Sequence, residues 1–124
     1  MATAAMDDLA ARLADRTVSS AFIYTREAHP GENYRHHTTM DDKRANAKAY
    51  QDHSSVQRPI LLDTVEGDCH QAYGILPNMT WIIGRGGIII YKGAWTGVED
   101  VEQAFDAYMD GKDRQIKDQL VPFY

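Results

Sequence analysis

Two short runs that suit buried strands, Val18 to Thr25 and Pro59 to Thr64, are separated by a stretch carrying helix-start signals, and this alternation most limits the possible folds. The first run is rich in β-branched and aromatic residues (Val18, Phe22, Ile23, Tyr24), while the second, PILLDT, is continuously apolar in the manner of a parallel strand. Parallel strands need a crossover between them, and the intervening residues supply one. Thr38 and Thr39, each with an aspartate three residues on (Asp41 and Asp42), read as a capping-box start to a helix reaching about His53.

The flanking segments complete an α/β pattern. Met6, Leu9, Ala10 and Leu13 recur at helical spacing, so residues 4 to 16 read as an amphipathic helix. Asp68 to Ala72 reads as a short helix ended by Gly74. Thr80–Ile83 and Ile88–Tyr91 flank Gly84, Arg85, Gly86 and Gly87, which makes a β-hairpin; a phosphate-loop reading of these glycines loses because no helix follows them directly. Thr96 and Glu99 offer a capping box to a last helix with Val98, Val101, Phe105 and Tyr108 on one face. The predicted architecture is one domain over residues 1–124, a mixed sheet of about four strands flanked by helices, with a C-terminal hairpin plus helix and a tail over 113–124 left unassigned.

Charge and cysteine usage narrow the function classes. Net charge is −5, from 13 Lys plus Arg against 18 Asp plus Glu, and the charges are scattered, so no basic patch invites nucleic acid or an anionic membrane. No apolar run approaches the roughly 20 residues of a membrane span, and the opening residues lack the pattern of a signal peptide, so a cytoplasmic protein is expected. The Asn78-Met79-Thr80 sequon is accordingly incidental. The single cysteine, Cys69, allows no internal disulfide, CxxC pair or cysteine zinc site, and reads as a plain buried thiol.

The long polar segment Glu27 to Thr39 carries the candidate chemistry. Glu27 and His29 stand two apart just beyond a predicted strand, where open α/β sheets place ligands. In extended backbone they share a face, so the carboxylate can orient the imidazole or the two can divide acid and base roles, with His37 as a third group. The opposing reading has Glu27 and His29 fixing the loop by hydrogen bonds and His37 exposed beside the helix. Glu27, His29, His36 and His37 also suggest a facial metal set, but their spacing matches no metal motif, and neither metal nor other cofactor is expected. Tyr34, Trp81 and Trp95 are candidates to line an apolar pocket, with core packing the preferred role for Trp81.

Tyr24-Thr25-Arg26-Glu27-Ala28-His29-Pro30 resembles the EAHP segment of the iodothyronine deiodinases, which have a thioredoxin-like fold. His36 to Lys43 (HHTTMDDK) resembles that family's histidine-containing helix start, with His37 in the histidine's position. Leu76-Pro77-Asn78, Trp81-Ile82-Ile83 and Tyr91-Lys92-Gly93 resemble its LPE, YII and YKG segments. The resemblance implies a truncated thioredoxin-like fold and, because the family's selenocysteine or cysteine turn lies ahead of the first helix and is not matched here, no intrinsic redox chemistry. It implies that Glu27, His29 and His37 are the acid/base set. His36, Tyr34, Asn78 (where the family has a glutamate) and Trp95 (near the place of a substrate-contacting arginine) are the expected substrate contacts.

The unmatched strand would lie between Val18–Thr25 and the hairpin. The two neighbours are therefore expected either to pair with each other or to be covered by a second chain, and a homodimer is favoured. The function expected is a cofactor-independent acid/base enzyme of isomerase, cyclase or lyase type, acting on an apolar or aromatic small molecule in specialised metabolism. The alternatives are a non-catalytic binding or partner subunit, and a reductive dehalogenase whose nucleophile segment is missing from the gene model.

Overall fold

The computed structural model describes residues 3–26 and 36–118, with side chains through residue 111. The chain is mixed α/β and divides into two compact units, Met1–Pro77 and Asn78–Tyr124.

In the first unit, α1 (Thr3–Ala14) ends in a left-handed Thr17 (φ 64°), and the Val18 amide closes back on the Leu13 carbonyl at 3.2 Å. That closure uses Val18 in the helix end, so β1 is only Phe22–Tyr24 rather than the longer strand expected. β1 pairs in parallel with β2 (Ile60–Leu62) in the register Phe22 to Ile60, Ile23 to Leu61 and Tyr24 to Leu62. The crossover is α2 (Met40–Ser54), whose Thr39 and Asp42 form the anticipated capping box. A left-handed Ser55 (φ 51°) ends α2 and turns Val56 inward.

Tyr24, Ala47, Tyr50 and Val56 form the core of this unit, with Phe22, Ile60 and Leu62 packed against them. Phe22 stacks on Tyr50 with ring centroids 5.5 Å apart. The alternate residues Ile23 and Leu61 face away from that core and are 41% and 51% exposed. α1 is fastened by a buried ion pair, Asp7 with Arg58 at 2.5 Å, and by the Gln57 amide donating to the other Asp7 oxygen at 2.9 Å. Last comes α3 (Asp68–Tyr73), which Gly74 ends as expected.

The second unit is a hairpin and a helix. β3 (Thr80–Ile83) pairs antiparallel with β4 (Ile89–Gly93) around a single 3-10 turn at Arg85–Gly87, with a register irregularity at Ile82/Ile83. Gly86 and Gly87 take φ of 79° and 81°, the region that favours glycine. α4 (Val98–Asp118) packs on the hairpin through buried Val101 and Phe105, and it continues through part of the tail left unassigned from sequence. The expected Thr96/Glu99 capping box does not place the helix start. Gly97 supplies the carbonyl that accepts the first helical bond, from Val101, and the Thr96 hydroxyl instead bonds the Asn78 carbonyl (3.0 Å) and the Thr80 hydroxyl (2.6 Å).

Among the described residues the four strands form two separate two-stranded sheets, not one mixed sheet, so β1 and the hairpin do not pair with each other. No helix is long and apolar enough to cross a membrane.

Candidate functional site

An open cavity of about 550 Å³ lies in the first unit. Its walls come from three places: Thr25 and Arg26 after β1; His36, His37, Thr38 and Lys43 leading into and within α2; and Thr64 to Gly67, with His70, Gln71 and Ile75, around α3. Arg26 and His36, which flank residues 27–35, both belong to the lining. Most of the lining residues are of polar type, yet the surface they present is polar and apolar in similar measure.

His37 is buried, 3% exposed, against the expectation of an exposed residue under the non-functional reading. Its ring lies 6.4 Å from Tyr24 and stacks on the exposed His36 at 5.9 Å, nearly parallel at 8°. Its Nδ1 is buried without a hydrogen-bond partner among the described residues. Burial, reinforced by the positive charge of Lys43 and by His36, pushes its pKa below the ordinary histidine value, and the opposing pull of Asp42 is smaller. The shift favours the neutral ring, which lines the cavity with a nitrogen that no described residue engages.

Lys43 is the second unusual group, only 1% exposed. Its Nζ donates to the Thr64 carbonyl at 3.0 Å, and that is its one hydrogen bond to a described residue. Burial pushes its pKa down, against the upward pull of Asp63 and Glu66. By contrast Asp63, directly after β2, is buried and fully engaged. It accepts the amides of Thr64 (2.8 Å), Cys69 (2.8 Å) and His70 (2.9 Å), while the Thr64 hydroxyl accepts the Asp68 amide at 3.1 Å. The three amides that begin α3 are thus all satisfied from the end of β2. Burial raises the Asp63 pKa, but those amide hydrogen bonds together with Lys43 outweigh it and leave the carboxyl below its ordinary value. Cys69 is half-buried, and burial together with the Asp63 charge raises its thiol pKa, which disfavours the reactive thiolate.

The structure thus brings His36 and His37 to one cavity. Glu27, His29 and Tyr34 lie outside the described residues. Asn78 and Trp95 belong to the second unit and are not among the lining residues; the Asn78 carbonyl holds Thr96, and Trp95 is 68% exposed. Trp81 lies half-buried under the Lys92 ammonium, 5.0 Å from the ring centroid. Among the described residues no three His, Cys, Asp or Glu side chains gather as a metal site.

Sequence reasoning missed Arg26, Lys43 and His70. A signal existed for Lys43: it sits in the first turn of α2, where the helix dipole disfavours a cation, so something other than helix stability keeps it there.

Compared with protein-family models, curated proteins and solved structures, the chain matches none.

Proposed function

We propose that the chain is a cofactor-independent acid/base enzyme of isomerase, cyclase or lyase type, with His37 as the group that moves the proton. The observation that carries this reading is a buried, neutral imidazole with an unpartnered Nδ1 lining a cavity of substrate size. In its neutral form Nδ1 takes a proton if the other ring nitrogen bears the hydrogen, and the ring returns the proton after the bonds of the substrate have rearranged. Glu27 and His29, two and four residues' spacing from Thr25 on the cavity wall, complete the acid/base set in this reading. The walls present polar and apolar surface in similar measure, Val65 and Ile75 contributing to the latter, and so suit an apolar or aromatic substrate that also carries polar groups.

The scaffold in this reading is a thioredoxin-like fold of deiodinase type. Its support is the order of a parallel pair crossed by α2, then a hairpin and a helix. A cytoplasmic setting suits a chain with one cysteine.

The test is solvent exchange. In deuterium oxide, an acid/base enzyme of this type transfers deuterium to a carbon-bound position of its substrate within a metabolite extract, which mass spectrometry detects. His37→Ala is expected to lower that incorporation by about 10²-fold or more, as are Glu27→Gln and His29→Ala. Retention within about threefold by His37→Ala rejects the assignment.

A second reading, a non-catalytic partner subunit or homodimer, is favoured by one observation: Ile23 and Leu61 are adjacent and exposed on the face of the β1–β2 pair turned from its core. In that case Ile23→Lys with Leu61→Lys abolishes assembly, measured by sedimentation, and His37→Ala leaves function intact.

A further inference from the structure

Two basic groups in the cavity are buried with few partners among the described residues. An ammonium has three N–H donors, and Lys43, 1% exposed, uses one of them, on the Thr64 carbonyl. Among the described residues no carboxylate lies within ion-pairing distance of Nζ; Asp63 and Glu66 act on it only from farther away, and Asp63 is committed to three backbone amides. The neighbouring basic side chain, His37, has an unpartnered buried Nδ1. Buried ions persist in proteins when a counter-charge and hydrogen bonds offset their lost hydration. Here the described residues supply one carbonyl.

The surroundings point to the sign of the missing partner. The chain carries a net charge of −5, yet among the described residues this cavity is lined by Arg26, Lys43 and three histidines against a single carboxylate, Glu66. Glu66 is exposed, so water weakens its opposition, whereas Lys43 acts from a dry position. Arg26, exposed at the rim, adds a planar two-pronged donor suited to a carboxylate or a phosphate.

We infer that the cavity holds an anionic group of its ligand, a carboxylate or a phosphate, with the Lys43 ammonium as the inner contact and the Arg26 guanidinium as the outer one. The substrate class is thereby a small organic acid or phosphate ester, seated by its charge beside His37. This rests on the reading of the cavity as the active site, but anion binding is measured without turnover, so either proposition can fail while the other stands.

The experiment titrates the full chain with sodium phosphate and, separately, sodium acetate at constant ionic strength held by chloride, following the histidine ring resonances by NMR. Saturable shifts of the His37 signals are expected for at least one of the two anions, and which one answers separates phosphate from carboxylate. Lys43→Gln and Lys43→Met are each expected to weaken binding about tenfold or more, Arg26→Gln by a smaller factor, and Glu66→Gln to tighten it. Retained folding of the lysine variants is checked by the α2 and β1 amide signals, and Arg26→Gln, an exposed change, reads the site independently of folding. Absence of saturation by both anions up to about 50 mM overturns the inference, as does unchanged affinity in both Lys43→Met and Arg26→Gln.

Discussion

The first unit buries charge in two places and treats it in opposite ways. At the α1 junction Asp7 meets Arg58 at 2.5 Å and the Gln57 amide at 2.9 Å, and the guanidinium also lies over the Phe22 ring at 5.5 Å. At the cavity, among the described residues, Lys43 has one carbonyl and a nitrogen of His37 has no partner. A junction that only holds the fold satisfies its charges internally; under the anion-binding proposal, the cavity takes its counter-charge from a ligand.

The contrast is broken or sharpened first by removing one partner at the junction. Asp7→Ala strands a buried guanidinium and is expected to cost about 3–5 kcal/mol in urea denaturation, whereas a loss under about 1 kcal/mol would show that the pair is not a buried fastening. At the cavity the same operation has the opposite result. Lys43→Met removes an under-partnered ammonium while keeping its aliphatic packing, and stability is expected to be unchanged or higher by about 1 kcal/mol. A loss comparable to that of Asp7→Ala would mean the ammonium is structural.

Next in size is the acid limb of the stability profile. The Asp7 carboxyl is pulled up by burial, but the Gln57 amide and Arg58 outweigh this and lower it; Asp63 is likewise lowered by its amides and Lys43. Lowered carboxylate values contribute stability that is complete above the unfolded-state value of about 4 and is lost as pH falls through the folded-state values. His37 is also lowered, so the unfolded chain takes its proton first, and stability falls as pH drops below the unfolded value of about 6.5. His37→Phe is expected to abolish the slope that sets in below about pH 6.5 and leave the carboxylate limb at lower pH. An unchanged upper slope would mean that His37 is not the buried neutral group. Last, Thr39→Ala, which removes the capping hydroxyl of α2 beside the cavity, is expected to cost about 1 kcal/mol, with the change in melting temperature as the measure.

Much of the secondary structure is legible in the residues. The Thr39 cap, the Gly74 stop, the parallel character of PILLDT and the glycine turn of the hairpin are local signals, and each acts within a few positions of itself. Val18 and Thr96 misled because both spend their backbone or hydroxyl on a neighbour that periodicity does not show: the Leu13 carbonyl in one case, the Asn78 carbonyl in the other. For the site, His36 and His37 stood out as a pair. Lys43 did not, since its defining contact is 21 positions away at Thr64, and its burial depends on α2 folding over the end of β2. Arg26 carries no sequence signal of its own beyond standing next to Glu27.

The carboxylate after β2 also orders events in time. α3 has six residues, too few to persist alone in water, and its first three amides depend on Thr64 and Asp63. Those acceptors come into position when β2 pairs with β1, which fixes the Asp63 amide on the Tyr24 carbonyl at 3.1 Å. The small helix therefore forms as a late event that reports strand docking, and the amide protons of Cys69 and His70 exchange with solvent at the rate at which that parallel pair opens.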